Sequence, residues 1–188
     1  DGLITLSLLS PDVVRSNLEA VHKGWPARSE ALTQNFAAMT VGVCCVLHAG
    51  EAIDSPRVIA RVGPRIAVAL HYAYEQSRQG MPVPEFLAPF LTDRYQQFLS
   101  DRWDIIHQTH SRFLHEGEDE FITPDAIRAM SLTGTRDEVA ERIDGLKQAG
   151  LTQFVISPPW GYVEESIVEF AQQIIPAFTA EGRTKSTS

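Results

Sequence analysis

The stretch from Met130 to Phe178 constrains the fold more than any other, because it holds two consecutive strand-then-helix units with sharp punctuation. The apolar run Met130-Ser131-Leu132-Thr133 meets a Gly134-Thr135 turn, and Thr135 with Glu138 three residues on has the form of a capping box, which satisfies two otherwise orphaned backbone donors. Val139, Ile143 and Leu146 recur on one helical face and Gly150 ends that helix. A strand Phe154–Ser157 follows, stopped by Pro158 and Pro159. The closing helix sets Val163, Ile167, Phe170, Ala171, Ile174 and Phe178 in one stripe. Strand, helix and strand in so few residues predict a parallel βαβ unit.

The preceding chain extends the alternation. Leu3–Leu6 is a short apolar strand; Ser10-Pro11-Asp12 starts a helix with Ser10 as N-cap, and Gly24 closes it. Trp25 to Ala38 reads as an irregular connection. Thr40–Leu47 is continuously apolar, as a strand covered on both faces requires. Asp54-Ser55-Pro56 opens a long helix whose Gly63-Pro64 predicts a kink or a break. Pro82, Pro84 and Pro89 mark a non-helical crossing, and Leu91–Leu99 and Trp103–Leu114 read as helices. Glu116–Glu120 is an acidic turn, and Thr123-Pro124-Asp125 caps a short helix. The polar tail 181–188 is expected to be disordered.

With 188 residues, 44% of them hydrophobic, the chain can bury a core of its own. A net charge of −8 with no basic cluster argues against nucleic acid or an anionic membrane as partner. Cys44 and Cys45 are adjacent, cannot readily bridge each other and suit a reducing compartment, so a cytoplasmic location is expected. The chain begins without Met on what reads as a core strand, which suggests a fragment of something longer.

Asp1-Gly2-Leu3-Ile4, the Val43–Leu47 strand with Gly50-Glu51, and above all Leu132-Thr133-Gly134-Thr135-Arg136-Asp137-Glu138-Val139 with Phe154–Pro159 resemble the bacterial luciferase-like family of flavin-dependent monooxygenases and F420-dependent oxidoreductases. The family's (β/α)8 TIM barrels run to roughly 250 residues. The resemblance therefore implies an α/β fold equal to the C-terminal half of such a barrel. Four parallel β/α units would occupy 1–180, with a helical insertion at about 80–128 before the third strand. A half barrel leaves open sheet edges and an uncovered inner face, so the resemblance implies association with the remaining half or as a homo-oligomer. FMN or F420 is the implied cofactor and a small organic molecule the implied substrate.

In such barrels chemistry sits at the C-terminal strand ends, here Ser7, His48, Thr133-Gly134 and Ser157–Trp160. Ser7 and Ser10 are candidates for a cofactor phosphate, although Ser10 can be a plain N-cap and Leu8-Leu9 departs from the family's Gly or basic residue. Trp160 can stack on a cofactor ring or plug the barrel end. His48 and His107 are candidate substrate contacts, and His110 is the candidate for proton transfer. His107 and His110 lack a convincing third ligand, so no metal is assigned. The competing expectation is a non-catalytic half-barrel, or an open-sheet binding module, that holds no redox cofactor.

Overall fold

The computed structural model describes residues 2–6, 9–24, 36–104 and 106–179. Five strands lie in it, all paired in parallel: β1 (Gly2–Leu6), β2 (Ala37–Gly42), β3 (Cys44–Val46), β4 (Leu132–Gly134) and β5 (Gln153–Ile156). Helices α1 (Pro11–Lys23), α2 (Pro56–Arg78), α3 (Asp93–Ser100), α4 (Pro124–Met130), α5 (Arg136–Gln148) and α6 (Val163–Glu169) alternate with them, with short 3-10 turns between.

The single strand expected over Thr40–Leu47 is two. Its first half belongs to a sheet of order β1-β2-β5, and its second half pairs with β4. The change comes between neighbouring residues: the Gly42 carbonyl accepts from Ser157 N (2.8 Å) and the Val43 carbonyl from Leu132 N (2.9 Å). Of the two halves, β3 is buried on both faces, whereas β2 alternates half-buried with buried residues. The expected βαβ unit is altered too, since β4 and β5 do not pair with each other but with successive parts of the same run.

One face of the three-stranded sheet carries Ala38, Thr40, Phe154 and Ile156 and packs under α1 and α5, with Val14, Val139, Leu146 and Leu151 as core. The other face leaves Ile4 at 67%, Leu6 at 65% and Val155 at 38% exposure. A second core, around Val58, Val62, Ile66, Leu70, Tyr95, Leu99 and Ile127, joins α2 to α3 and α4.

Helix α2 runs unbroken through Gly63-Pro64 for 23 residues. The reason is packing: a Cβ on Gly63 would come within 2.9 Å of Leu114 and 3.4 Å of Ile122, so the pair forms a notch for the incoming segment. The helix expected over Trp103–Leu114 is replaced by turns and one 3-10 segment, Ile106–Thr109. Ser111, at φ 60°, turns the backbone out of helical geometry. Trp103, His107 and His110 gather instead on the C-terminal half of α2, against Tyr74, Glu75 and His71. In the closing segment Val163 and Ile167 are exposed, and the inward face carries Ser166, Glu169 and Ile174. The tail 181–188 and most of the Trp25–Ala38 connection lie outside the described residues.

Candidate functional site

The C-terminal ends of β3 and β4 are held in register by Leu47 N donating to the Gly134 carbonyl (2.8 Å). Beyond β3 the chain is drawn into a tight loop by Glu51, which accepts from His48 N (2.9 Å), Ser55 Oγ (2.7 Å) and Arg57 Nε (2.9 Å). Ser55 caps α2 through Val58 N. The Arg57 bond, with those of His48 and Ser55, holds the Glu51 carboxyl far below the usual carboxylate range against the opposing effect of burial.

One side of these strand ends is closed by ions. Arg61, 1% exposed, donates from Nη1 and Nη2 to the two oxygens of Glu169 (2.8 and 2.9 Å) and from Nη2 to Ser166 Oγ (3.0 Å). Glu169 also accepts from Val46 N (2.9 Å), and Arg57 Nη2 donates to the Val46 carbonyl (2.8 Å). The strand end, α2 and α6 are thus tied by paired charges, with Arg57 Nη1 and Arg61 Nε left without a hydrogen-bond partner among the described residues.

The other side opens into a groove of about 530 Å³ lined by Leu47, Ile53, Arg128, Thr133, Gly134, Glu138, Glu141 and Arg142. That volume lies within the range of small-molecule sites. Its floor follows from the sequence: Glu138 bonds Thr135 N (2.7 Å) and Thr135 Oγ1 accepts from Glu138 N, the capping box read from the residues. A Cβ on Gly134 would meet Glu138 Oε2 at 2.9 Å, so the glycine serves the box. The Glu138 carboxylate, held below its usual range by the Thr135 backbone and side-chain bonds, already occupies the positive end of α5. Arg142 is half-buried, its guanidinium pulled down in pKa by that burial, and it donates to the Arg128 carbonyl (3.0 Å). Cys44 and Cys45 are buried free thiols pushed up to about 12 and about 11, in each case chiefly by desolvation, which makes them wall residues.

A second cluster lies away from the strand ends. His71 Nε2 and Glu118 Oε1 are 2.6 Å apart, Tyr95 Oη donates to the same oxygen (2.8 Å), and His115 N donates to the other (3.1 Å). The His110 ring stands 5.6 Å from that of His71 and 2.9 Å, nitrogen to nitrogen, from His107, whose Nε2 lies 3.2 Å from Glu75. Burial, then His107 and His71, lower the His110 pKa, which favours the neutral ring. Among the described residues no group of three metal-ligating side chains is arranged to hold an ion.

Of the residues singled out in the sequence, His107 and His110 meet. His48 stands at the rim of the β3 loop, its side chain 64% exposed and 3.9 Å from Glu51. Ser10 is the exposed N-cap of α1 and makes no side-chain cap bond. Trp160 is 76% exposed beneath the Arg112 guanidinium, and Ser7 lies outside the described residues. Sequence reasoning missed Arg61, Glu169, His71 and Glu118. The signal for Glu118 was its place between Gly117 and the apolar Phe121-Ile122 pair, which draws an acidic turn inward.

No family model matches the chain. Two curated relatives are both 5,10-methylenetetrahydromethanopterin reductases. That of Archaeoglobus fulgidus is 29% identical over 136 residues, 70% of this chain and 37% of the relative. That of Methanopyrus kandleri is 38% identical over 58 residues, 30% of this chain and 17% of the relative. The chain is a homologue of these reductases. Among solved structures, the coenzyme F420 dependent tetrahydromethanopterin reductase of Methanopyrus kandleri matches with a TM-score of 0.58 at 20% identity, over 95% of this chain and 45% of that one. The fold is therefore α/β with parallel strands, of the kind found in part of a TIM-barrel-type reductase. The chain spans less than half the length of each of these proteins. No helix among the described residues is long and apolar enough to cross a membrane.

Proposed function

We propose that the chain is the C-terminal half of a luciferase-like (β/α)8 oxidoreductase that uses F420 and acts on a small organic substrate. The observation that carries this is the 136-residue similarity to a methylenetetrahydromethanopterin reductase, which runs through most of the chain. Two structural features support it. The apolar face of Ile4, Leu6 and Val155 is where a completed barrel would have its interior. The groove at the ends of β3 and β4 lies where barrel enzymes place their chemistry.

The groove suits one part of such a cofactor. Leu47 and Ile53 offer an apolar wall to a flat ring, and Arg128 and Arg142 offer donors at its rim. The phosphate end is not accounted for at Ser10, where Asp12 adds a negative charge in the first turn of α1. When bound, the deazaflavin supplies hydride transfer, and the protein supplies position and exclusion of water. His110, kept neutral, is the group proposed to exchange a proton, with His48 and His107 as substrate contacts and Trp160 as a stacking surface for the cofactor. The four remaining strands are the proposed partner, and unpaired Cys44 and Cys45 agree with a cytoplasmic setting.

The test is titration of the completed barrel with F420 and with FMN, followed by the absorbance of the oxidised cofactor as methylenetetrahydromethanopterin is offered to the reduced form. Saturable F420 binding with substrate-dependent reoxidation supports the reading. Binding of FMN alone would move it to the flavin branch, and binding of neither would overturn it. The division of the strands into two small sheets favours a second reading, an open-sheet binding module without a redox cofactor. The same titration separates the two.

A further inference from the structure

Three arginines stand a turn apart on α2, and the third differs from the others. Arg57 and Arg61 are matched by Glu51 and Glu169. Arg65 has no carboxylate at ion-pair distance among the described residues, although it is half-buried. Its Nε is shut from solvent without an acceptor, as are Arg57 Nη1 and Arg61 Nε, and among the described residues its side chain bonds only Ser111, Nη1 to Oγ at 3.0 Å. Burial lowers its pKa with no nearby negative charge to oppose the effect. A half-buried guanidinium with no carboxylate beside it carries a desolvation cost that an arriving counter-charge would offset.

Its neighbours are arranged to receive one. Ser111 is the single non-glycine residue at positive φ among the described residues, a strained conformation that persists only where its surroundings impose it. Because Ser111 Oγ accepts from Arg65, its own hydroxyl proton is available to donate. The next residue, Arg112, sets its guanidinium 5.7 Å from the centre of the exposed Trp160 ring. Ser111, bonded to Arg65, and Arg112, set over Trp160, are consecutive residues, so one short stretch of chain carries a hydroxyl and a guanidinium between the Arg65 side chain of α2 and the open aromatic face after β5.

We infer that Arg65, Ser111, Arg112 and Trp160 form a binding site for the oxyanion of a small molecule, a carboxylate or a phosphate. Arg65 Nη2 and the Ser111 hydroxyl are the primary donors, Arg112 adds the second cation, and Trp160 borders the ligand. The site shares Trp160 with the redox reading but does not need it.

Calorimetric titration and thermal unfolding of the protein with inorganic phosphate, with succinate, and with sodium chloride at matched ionic strength test the site. The chloride arm matters because a chain of net charge −8 responds to salt by screening alone. Phosphate, succinate or both should bind and raise Tm beyond chloride, and whichever does so names the ligand class. Arg65→Met should weaken binding about tenfold or more, the loss expected for a charge-assisted bond. It should also melt no lower than the parent, because it removes an unpaired half-buried charge. Trp160→Phe should abolish a ligand-induced fluorescence change while leaving the Tm shift. If Arg65→Met does not fold, Ser111→Gly, which relaxes at positive φ, must weaken binding severalfold. No response beyond chloride in the parent, or undiminished binding in these variants, would overturn the inference.

Discussion

Glu169 does three jobs with one carboxylate. It neutralises Arg61, whose side chain is fully buried, it accepts from Val46 N, and it fixes α6 against α2. Glu169→Ala should therefore cost about 3 kcal/mol in urea denaturation, because it leaves a buried guanidinium with only the exposed Glu165, 3.5 Å from Nη1, as counter-charge. The double variant Arg61→Met with Glu169→Leu should recover much of that loss, since a well-packed apolar pair replaces the ions; equal damage from both would show that the bond to Val46 N dominates. A second residue-scale expectation concerns acid. Glu51 is held below the usual range chiefly by the bond from Arg57. Glu118 is pushed up by burial, but the bonds from His71, His115 N and Tyr95 outweigh that and leave it lowered. A carboxylate whose folded pKa lies below its unfolded value, about 4.3, contributes stability above that value and loses it as pH falls through the folded one. Urea midpoints should thus decline below about pH 4, beyond a smaller loss that begins below about pH 6.5 because the His110 pKa is lowered in the fold. Glu51→Gln should flatten that decline at the cost of stability at neutral pH. Arg61 with Glu169, 108 positions apart, and His71 with Glu118, 47 apart, were not legible in the sequence, because each of these bonds joins residues distant along the chain.

Elements were readable in proportion to how locally they are determined. Helix α5 has its start, capping box and end where Thr135, Glu138 and the Ala149-Gly150 pair indicate. Thr135→Ala should cost about 1 kcal/mol, the usual value of a cap. Gly134→Ala should cost a similar amount by pressing on Glu138, and the double variant should cost less than the sum, because both disrupt one box. Additive losses by calorimetry would separate Gly134 from the cap. Where tertiary packing decides, local signals misled. Gly63-Pro64 has the pattern of a helix break, yet Leu114 and Ile122 fill the notch and the helix continues. The spacing of Trp103, Ile106, His110 and Phe113 suits a helix, yet the aromatic and histidine rings stack on α2 and the backbone reverses at Ser111. Stripe periodicity in the closing segment held for Phe170, Ile174 and Phe178, which pack on the core, but not for Val163 and Ile167, which are exposed where Ser166 and Glu169 face Arg61.

The whole molecule shows one well-covered sheet face and one bare one. The alternation of exposed Ile4 and Leu6 with half-buried Leu3 and Thr5 gives β1 a second apolar surface, beyond the one that packs beneath α1 and α5. Leu6→Lys should change the stability of the chain by no more than about 0.5 kcal/mol, as for an exposed site. In sedimentation it should reduce self-association, and in a completed barrel it should be severely disruptive. A large loss of stability in the isolated chain would mean that the face is already occupied. Parallel pairing and the likeness to F420-dependent oxidoreductases were anticipated from the sequence, whereas the fifth strand, which comes from the split of the central run, was not, because a continuous apolar stretch carries no mark of a change of neighbour. The salt-linked end of that run has one more outcome. Both backbone groups of Val46 are consumed by side chains, its N–H by Glu169 and its carbonyl by Arg57. A strand arriving from another chain finds no free hydrogen-bonding pair there. The ion cluster works as an edge guard, which leaves sheet extension to the outer flanks of β1, β4 and β5 and gives any assembly of this protein a direction.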